Sequence, residues 1–226
     1  MDTAALIALL FPLALALLDW VAVARRWRRI GYFTKPGVIF ALLAWLWAVT
    51  GFEGPAAWFA IGLLFSAAGD ILLMLPGERL KVAMAAFMLA LACYTLGFNI
   101  LVPPEPNLPG LLIVLLVALT SQQLARWIAA GLPGIGVPLH KLALVAYLVL
   151  ISVMLISALL TLVQPAWETS AALACSAGGL LFYYSDTVLQ ARHRLVTPAP
   201  AGRVWRRATY QGGQILLILG IALQYA

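Results

Sequence analysis

The sequence predicts an all-α membrane protein, a polytopic bundle of eight transmembrane helices with both termini on the non-cytoplasmic side. Of its 226 residues, 64% are hydrophobic and only 10% are charged, whereas soluble domains carry about 25% charged residues. A soluble chain of this length could not keep so much apolar surface away from water, so lipid is the expected surrounding. The sequence shows no regular alternation of apolar and polar residues, so it predicts no strands.

Apolar runs define the eight spans, because a helix that crosses the hydrocarbon needs about 20 mostly apolar residues. The predicted spans are 3–24, 36–51, 55–75, 81–102, 109–130, 139–163, 168–190 and 205–225. Segments with glycine and proline separate them, since proline lacks the amide hydrogen that a helix interior needs. The spans form one integral-membrane domain over residues 1–226, and the second span is the shortest.

The basic residues test this count independently. When the seven connections are numbered in order, every one of the 14 lysines and arginines lies in an odd-numbered connection or at its edge. They are Arg25, Arg26, Arg28, Arg29 and Lys35 in the first connection, Arg79 and Lys81 in the third, Arg126 and Lys141 in the fifth, and Arg192, Arg194, Arg203, Arg206 and Arg207 in the seventh. Because basic connections stay on the cytoplasmic side, we expect these four to be cytoplasmic.

The net charge of +6 is therefore interpreted as a topology signal and a contact with lipid head groups, not as a nucleic-acid surface. The expected location is a cell membrane, either inner or plasma, and the expected partners are membrane lipids. The sequence leaves the oligomeric state open.

Three aspartates, Asp19, Asp70 and Asp186, lie inside predicted spans. An ionisable group in hydrocarbon is costly and indicates a functional site by default. Each lies about six residues before the cytoplasmic end of its span, which is roughly 9 Å below that boundary. We expect one shared polar pocket that opens towards the cytoplasmic leaflet. The alternative is that each aspartate is only a structural partner of a neighbour, or that Asp19 faces the interface.

Helical spacing places polar residues on the same faces as the acids. Ser66 lies one turn before Asp70, and Ser185 adjoins Asp186. A second stripe at the same spacing combines Gly179, Tyr183, Asp186 and Gln190. The last span brings in Tyr210 and Gln214, which share a face and could instead be interhelical hydrogen-bonding residues.

Lys35 stands just before Pro36, where the second span is expected to begin. Its ammonium group could reach one of the acids, or extend to the head groups as a topology residue. Two carboxyl groups in one pocket can divide into a proton donor and a base. That pair suits acid-initiated hydrolysis through an oxocarbenium-like cation, and it would equally suit a proton-coupled transporter of lipids or small molecules.

Five short motifs occur in order along the chain and resemble those of the YhhN family of membrane lysoplasmalogenases. They are Lys35-Pro36, Gly69-Asp70 followed by Leu72, Leu73 and Leu75-Pro76, the stretch from Phe87 to Tyr94-Thr95, Ser185-Asp186, and Tyr210-Gln211-Gly212-Gly213-Gln214. One departure is Leu91, three residues before Tyr94, where family members often carry histidine.

The resemblance implies hydrolysis of the vinyl ether bond of lysoplasmalogen, a lysophospholipid. The products are a fatty aldehyde and a glycerophospho-ethanolamine or -choline, and no metal or organic cofactor is implied. It further implies that Asp70 and Asp186 are the acid/base pair and that Lys35 holds the phosphate. The other expected substrate-binding residues are Tyr210 and Gln214, which would orient water or a carboxylate, with Ser66, Ser185 and Asp19.

Overall fold

The computed structural model describes residues 3–76, 79–101, 106–131, 138–189 and 200–226. Within these ranges the chain forms eight α-helices and no strand. They are α1 (Thr3–Arg25), α2 (Arg28–Thr50), α3 (Pro55–Met74), α4 (Leu80–Asn99), α5 (Leu108–Gly131), α6 (Pro138–Leu160), α7 (Thr169–Tyr183) and α8 (Pro200–Tyr225). A 3₁₀ turn (Thr161–Val163) follows α6, and a π-helical segment (Tyr184–Leu189) continues α7. The prediction of an all-α chain with eight helices is confirmed.

Six of the described helices are long and apolar enough to cross a membrane, namely α1 to α6. Helix α7 has only 15 residues before its π-helical continuation. Helix α8 is long, but it carries Arg203, Arg206 and Arg207 in its first half and Gln211 and Gln214 near its middle. Large apolar side chains face outwards on these helices, which suits contact with lipid.

Helix α2 begins at Arg28 and not at residue 36 as predicted. Pro36 lies inside the helix, as Pro12 does inside α1. A proline in a helix interior removes one backbone hydrogen bond and often bends the helix, but buried neighbours can keep the helix continuous. Thr34 and Val38 on either side of Pro36 are both buried. Lys35 is therefore a residue of the helix, and not of the connection before it.

The seventh helix also departs from the prediction. The α-helical part ends at Tyr183, and the next six residues form the π-helical segment. A π-helical turn is wider than an α-helical one and changes the direction of the side chains that follow. The hydroxyl group of Tyr183, the last residue of α7, lies 2.8 Å from Ser121 Oγ of α5. Gln190 lies outside the described residues.

Helix α8 packs against α7 most extensively, and it also contacts α1, α2, α3 and the π-helical segment. Two glycines allow the backbones of α7 and α8 to approach closely. A Cβ atom at Gly178 would lie 2.6 Å from the amide nitrogen of Leu217, and one at Gly213 would lie 2.8 Å from that of Phe182. Small residues permit such close helix packing in membranes. This contact holds the middle of α8 beside the second half of α7.

Candidate active site

A cavity of about 90 Å³ lies at one end of the bundle, where α3 and α7 end and α2, α4 and α8 begin. Its lining consists of Lys35, Asp70, Leu73, Phe87, Ser185, Asp186, Arg206, Arg207 and Tyr210. The two aspartates of the expected pair therefore line the same cavity. Five of the eight expected site residues are in this lining, and Ser66, Gln214 and Asp19 are not.

Asp70 lies one turn before the end of α3 and is almost fully buried, with 2% of its surface exposed. Its Oδ1 atom is 2.6 Å from the ammonium nitrogen of Lys35. Its Oδ2 atom is buried and makes no hydrogen bond to the residues that the structure describes. A buried carboxylate normally has all its oxygens bonded. Among the described residues, this oxygen of a cavity-lining side chain therefore lacks the partner that burial normally requires.

Asp186 reaches the cavity from the π-helical segment and is half-buried. Its neighbour Ser185 also lines the cavity, and the Ser185 hydroxyl donates a hydrogen bond of 3.2 Å to the backbone oxygen of Arg206 on α8. This bond ties the π-helical segment to the start of α8. The widened turn thus places a second carboxyl group in the cavity that already holds Asp70.

Tyr210 and Phe87 form the aromatic part of the cavity wall. Their rings are 6.4 Å apart and perpendicular. The ring of Phe87 packs tightly on α3, because a Cβ atom at Gly69 would lie only 2.8 Å from it. The hydroxyl group of Tyr210 is buried and makes no hydrogen bond within the described part of the chain. It is a second polar group that a bound molecule could use.

Ser66 and Gln214 lie deeper, one helical turn behind Asp70 and Tyr210, and both are fully buried. Together with Tyr94 they form a closed triangle. The Tyr94 hydroxyl donates to Gln214 Oε1 at 2.8 Å, and Gln214 Nε2 donates to Ser66 Oγ at 3.2 Å. Ser66 Oγ is 3.4 Å from the Tyr94 hydroxyl. The triangle joins α3, α4 and α8 beneath the cavity floor, and it supports the site without lining it.

Leu91 lies one turn before Thr95 and three residues before Tyr94 on the same helix. It is fully buried in the apolar core. At this position α4 therefore contributes packing, and the hydroxyl of Tyr94 is its polar contribution to the layer below the cavity.

Asp19 is fully buried but does not line the cavity, in contrast to the expected shared pocket of three acids. Its Oδ2 atom accepts hydrogen bonds from Arg207 at 2.8 Å and from Gln211 at 2.9 Å, and its Oδ1 atom accepts one of 2.6 Å from Thr34. The indole nitrogen of Trp20 donates to Gln211 Oε1 at 2.7 Å. Both oxygens of Asp19 are thus occupied by side chains of α2 and α8.

Four cavity residues were not predicted as site residues, namely the apolar Leu73 and Phe87 and the basic Arg206 and Arg207. The two arginines were counted only as charges at the edge of the seventh connection, although both fall at the very start of the predicted last span, 205–225. Helix α8 begins at Pro200, which places both arginines inside the helix. They precede Tyr210 by four and three residues, and this spacing is the signal that could have assigned them to its face.

Comparison with known proteins gives one positive result. A family model described as the YhhN family matches residues 30–221. Neither the curated proteins nor the solved structures give a match. The matched range contains every residue that lines the cavity, and it begins after Asp19 and Trp20.

Proposed function

Because the chain belongs to the YhhN family, we propose that it is an integral-membrane hydrolase that cleaves the vinyl ether bond of lysoplasmalogen. The products are a long-chain aldehyde and glycerophospho-ethanolamine or -choline. The observation that carries the proposal is the cavity in which Asp70 and Asp186 meet. Two carboxyl groups at one site are the equipment for acid/base hydrolysis through a cationic intermediate.

We place all eight helices in the membrane, with the cavity near the cytoplasmic face. The six long apolar helices support membrane insertion. The cluster of Arg206, Arg207 and Lys35 at the cavity supports the cytoplasmic side, since basic residues are retained there. A lysolipid would then enter with its head group at the interface and its chain in the bilayer. Leu73 and Phe87 give the cavity an apolar wall against that chain.

The chemistry begins with protonation of a carbon atom. A carboxylic acid transfers its proton to the vinyl carbon β to the ether oxygen, and the electrons of the double bond form the new C–H bond. The other vinyl carbon becomes an oxocarbenium ion, which water attacks as a carboxylate takes the water proton. The resulting hemiacetal then breaks its bond to the glycerol oxygen, which takes the proton that the second carboxyl group received from water, while the first carboxylate takes the hydroxyl proton. This yields the aldehyde and the alcohol and restores both carboxyl groups. One water molecule is consumed, and no oxidant or reductant is needed.

The ion pair divides these roles between the two acids. Lys35 pairs with Asp70 at 2.6 Å, so we assign Asp70 as the carboxylate that stabilises the cation and accepts the water proton. The proton donor is then Asp186. The available Oδ2 of Asp70 and the hydroxyl of Tyr210 are the groups that would orient the water molecule.

The experiment is aldehyde release from lysoplasmalogen by the purified protein. Positioned acid/base groups typically contribute about 10²- to 10⁴-fold to a rate, so we expect Asp70→Asn and Asp186→Asn each to lower kcat by about 100-fold or more. The matched control is Glu53→Gln, a carboxylate at the exposed α2–α3 turn. The proposal fails if wild-type protein releases no aldehyde, or if both aspartate variants match it.

A further inference from the structure

Arg207 lies between the buried carboxylate of Asp19, which is called its anchor below, and the cavity. Its guanidinium donates one hydrogen bond, of 2.8 Å, to Asp19 Oδ2, and 23% of its side chain is exposed. Asp19 itself has no exposed surface. A guanidinium has five N–H donors, and among the described residues Asp19 takes one of them. Several donors of Arg207 are therefore left for a group inside the cavity.

Side chains from several helices hold the Asp19 carboxylate in place. Gln211 donates to the same Asp19 oxygen as Arg207, and Trp20 fixes the orientation of the Gln211 amide by donating to its oxygen. Thr34 of α2 bonds the other Asp19 oxygen. The carboxylate thus joins α1, α2 and α8 and has no freedom to turn. A guanidinium bonded to such a group is pre-organised, which lowers the entropy lost when it binds an anion.

The charges around the cavity favour an anionic ligand. Lys35, Arg206 and Arg207 supply three positive charges to its lining. Lys35 pairs with Asp70, and Arg207 pairs with Asp19, which lies outside the lining. Within the lining itself the three cations exceed the two aspartates by one, and one phosphodiester would neutralise that excess. Arginine is well suited to this task, because its planar donors match two phosphate oxygens.

We propose that Arg207 binds the phosphodiester of the lysolipid head group, with Arg206 beside it, and that Asp19 is a positioning residue that acts through Arg207. The inference rests on the proposed function for the identity of the lipid, and it replaces Lys35 as the expected phosphate ligand. The vinyl ether and the phosphate lie at the two ends of one glycerol unit. One small cavity can therefore present Asp70 and Asp186 to the former and Arg207 to the latter.

The test measures binding, so that it does not depend on hydrolysis. Its probes are a saturated 1-alkyl-glycerophosphoethanolamine, the 1-alkylglycerol that lacks the phosphate, and inorganic phosphate alone. A hydrogen bond to a charged group contributes about 1.5–3 kcal/mol, so Arg207→Gln should weaken binding of the phosphorylated lipid by about 10- to 100-fold. Binding of 1-alkylglycerol should change by less than about threefold. Arg203→Gln, on the same helix and outside the lining, is the matched control.

Two further variants separate binding from folding. Arg207→Gln leaves Asp19 buried and without its cation, which can unfold a protein. Asp19→Asn/Arg207→Gln removes both charges together and should lose the phosphorylated lipid to the same extent as Arg207→Gln. Asp19→Asn alone keeps the arginine but weakens its anchor, so we expect a smaller loss, confined to the phosphorylated lipid. Thermal unfolding of each variant verifies that it is folded.

The outcomes separate this inference from the proposed function. Wild-type protein that binds the phosphorylated lipid through Arg207 but releases no aldehyde would overturn the hydrolase and leave the phosphate site standing. The phosphate site is overturned if the folded Arg207 variants bind the phosphorylated lipid as wild type does, or if they lose both lipids equally. Tight binding of inorganic phosphate alone would overturn the assignment to a lipid head group.

Discussion

At the scale of single residues, the hydrogen-bond partners of the buried aspartates distinguish their roles. Asp19 has both oxygens bonded by neighbouring side chains, as a structural carboxylate should. Asp70 has one oxygen paired with Lys35 and the other without a bond inside the described part of the chain. Leaving a buried polar atom unbonded costs free energy. The cost at Asp70 is therefore incurred at the cavity, where a substrate or water can use that oxygen.

A substitution of Lys35 tests the role of its ion pair with Asp70. Lys35→Gln removes the ammonium group that pairs with Asp70, so the hydrolysis rate should fall for substrates with and without a phosphate. We expect kcat to fall by about 10- to 100-fold, the range that one charged hydrogen bond supports, while KM changes little. The measurement is kcat and KM for lysoplasmalogen and for 1-alkenylglycerol. Lys81→Gln, at the exposed start of α4, is the control.

A rise in KM for lysoplasmalogen alone, with kcat unchanged, would instead make Lys35 the phosphate ligand. Such a result would restore the expectation drawn from the family resemblance and would contradict the role assigned to Arg207.

The positions of Asp70 and Asp186 could be predicted from the sequence, because a lone carboxyl group in an apolar run has few explanations. Asp70, Asp186, Lys35, Ser185 and Tyr210 were all named, and all line the cavity. The hydrogen-bond partners of Asp19 could not be predicted in the same way. Its partners, Arg207 and Gln211, lie 188 and 192 residues away in sequence, and no local pattern pairs residues at that distance.

At the scale of the elements, two irregular helices carry the site. Pro36 lies within α2, so Lys35 is held on the helix directly before this proline. Asp186 lies in the π-helical segment that continues α7 and lines the cavity from there. Hydrophobic periodicity predicts neither feature. It depends on the apolar content of a segment, and not on whether a helix continues through a proline or widens into a π-helical turn. The start of α2 and the continuous seventh helix were accordingly mispredicted.

The contact between α7 and α8 allows a matched comparison of two neighbouring glycines. A Cβ atom at Gly213 would lie 2.8 Å from the backbone nitrogen of Phe182, whereas one at Gly212 would meet only Leu181 Cδ1 at 3.7 Å. Gly213→Ala should separate the helices and cost about 1–3 kcal/mol, as overpacking does. Gly212→Ala should be neutral or slightly stabilising, because alanine favours a helix by about 1 kcal/mol over glycine.

Thermal unfolding of both variants in detergent measures the difference. Equal midpoints for Gly212→Ala and Gly213→Ala would contradict the close approach of the two backbones. Because this contact places α8 beside the π-helical segment, we also expect Gly213→Ala to lose hydrolytic activity and Gly212→Ala to retain it.

At the scale of the whole molecule, the composition predicted the fold class and the apolar runs predicted the number of helices, which the segregation of basic residues supported. The eight-helix count needed only the spacing of apolar runs and the positions of 14 lysines and arginines. The assembly of helix ends around one cavity needed more, because helix order alone does not say that α8 lies between α1, α2, α3 and α7. The orientation in the membrane stays a prediction.

Cysteine labelling in intact cells tests that orientation. Glu53 lies at the exposed α2–α3 turn and Arg28 at the exposed start of α2, while both native cysteines are buried. An impermeant thiol reagent should label Glu53→Cys from outside and should label Arg28→Cys only after the membrane is opened. The reverse pattern would place the basic connections outside and would contradict the cytoplasmic site.

Hydrolysis in D₂O tests the central claim, that the cavity cleaves a vinyl ether by protonating its carbon. Mass spectrometry of the trapped aldehyde should find one deuterium on the carbon beside the carbonyl, and the saturated 1-alkyl analogue should not be cleaved. Aldehyde added directly to the protein in D₂O corrects for exchange after release. An aldehyde without deuterium at that carbon, or cleavage of the saturated ether at a similar rate, would contradict the account.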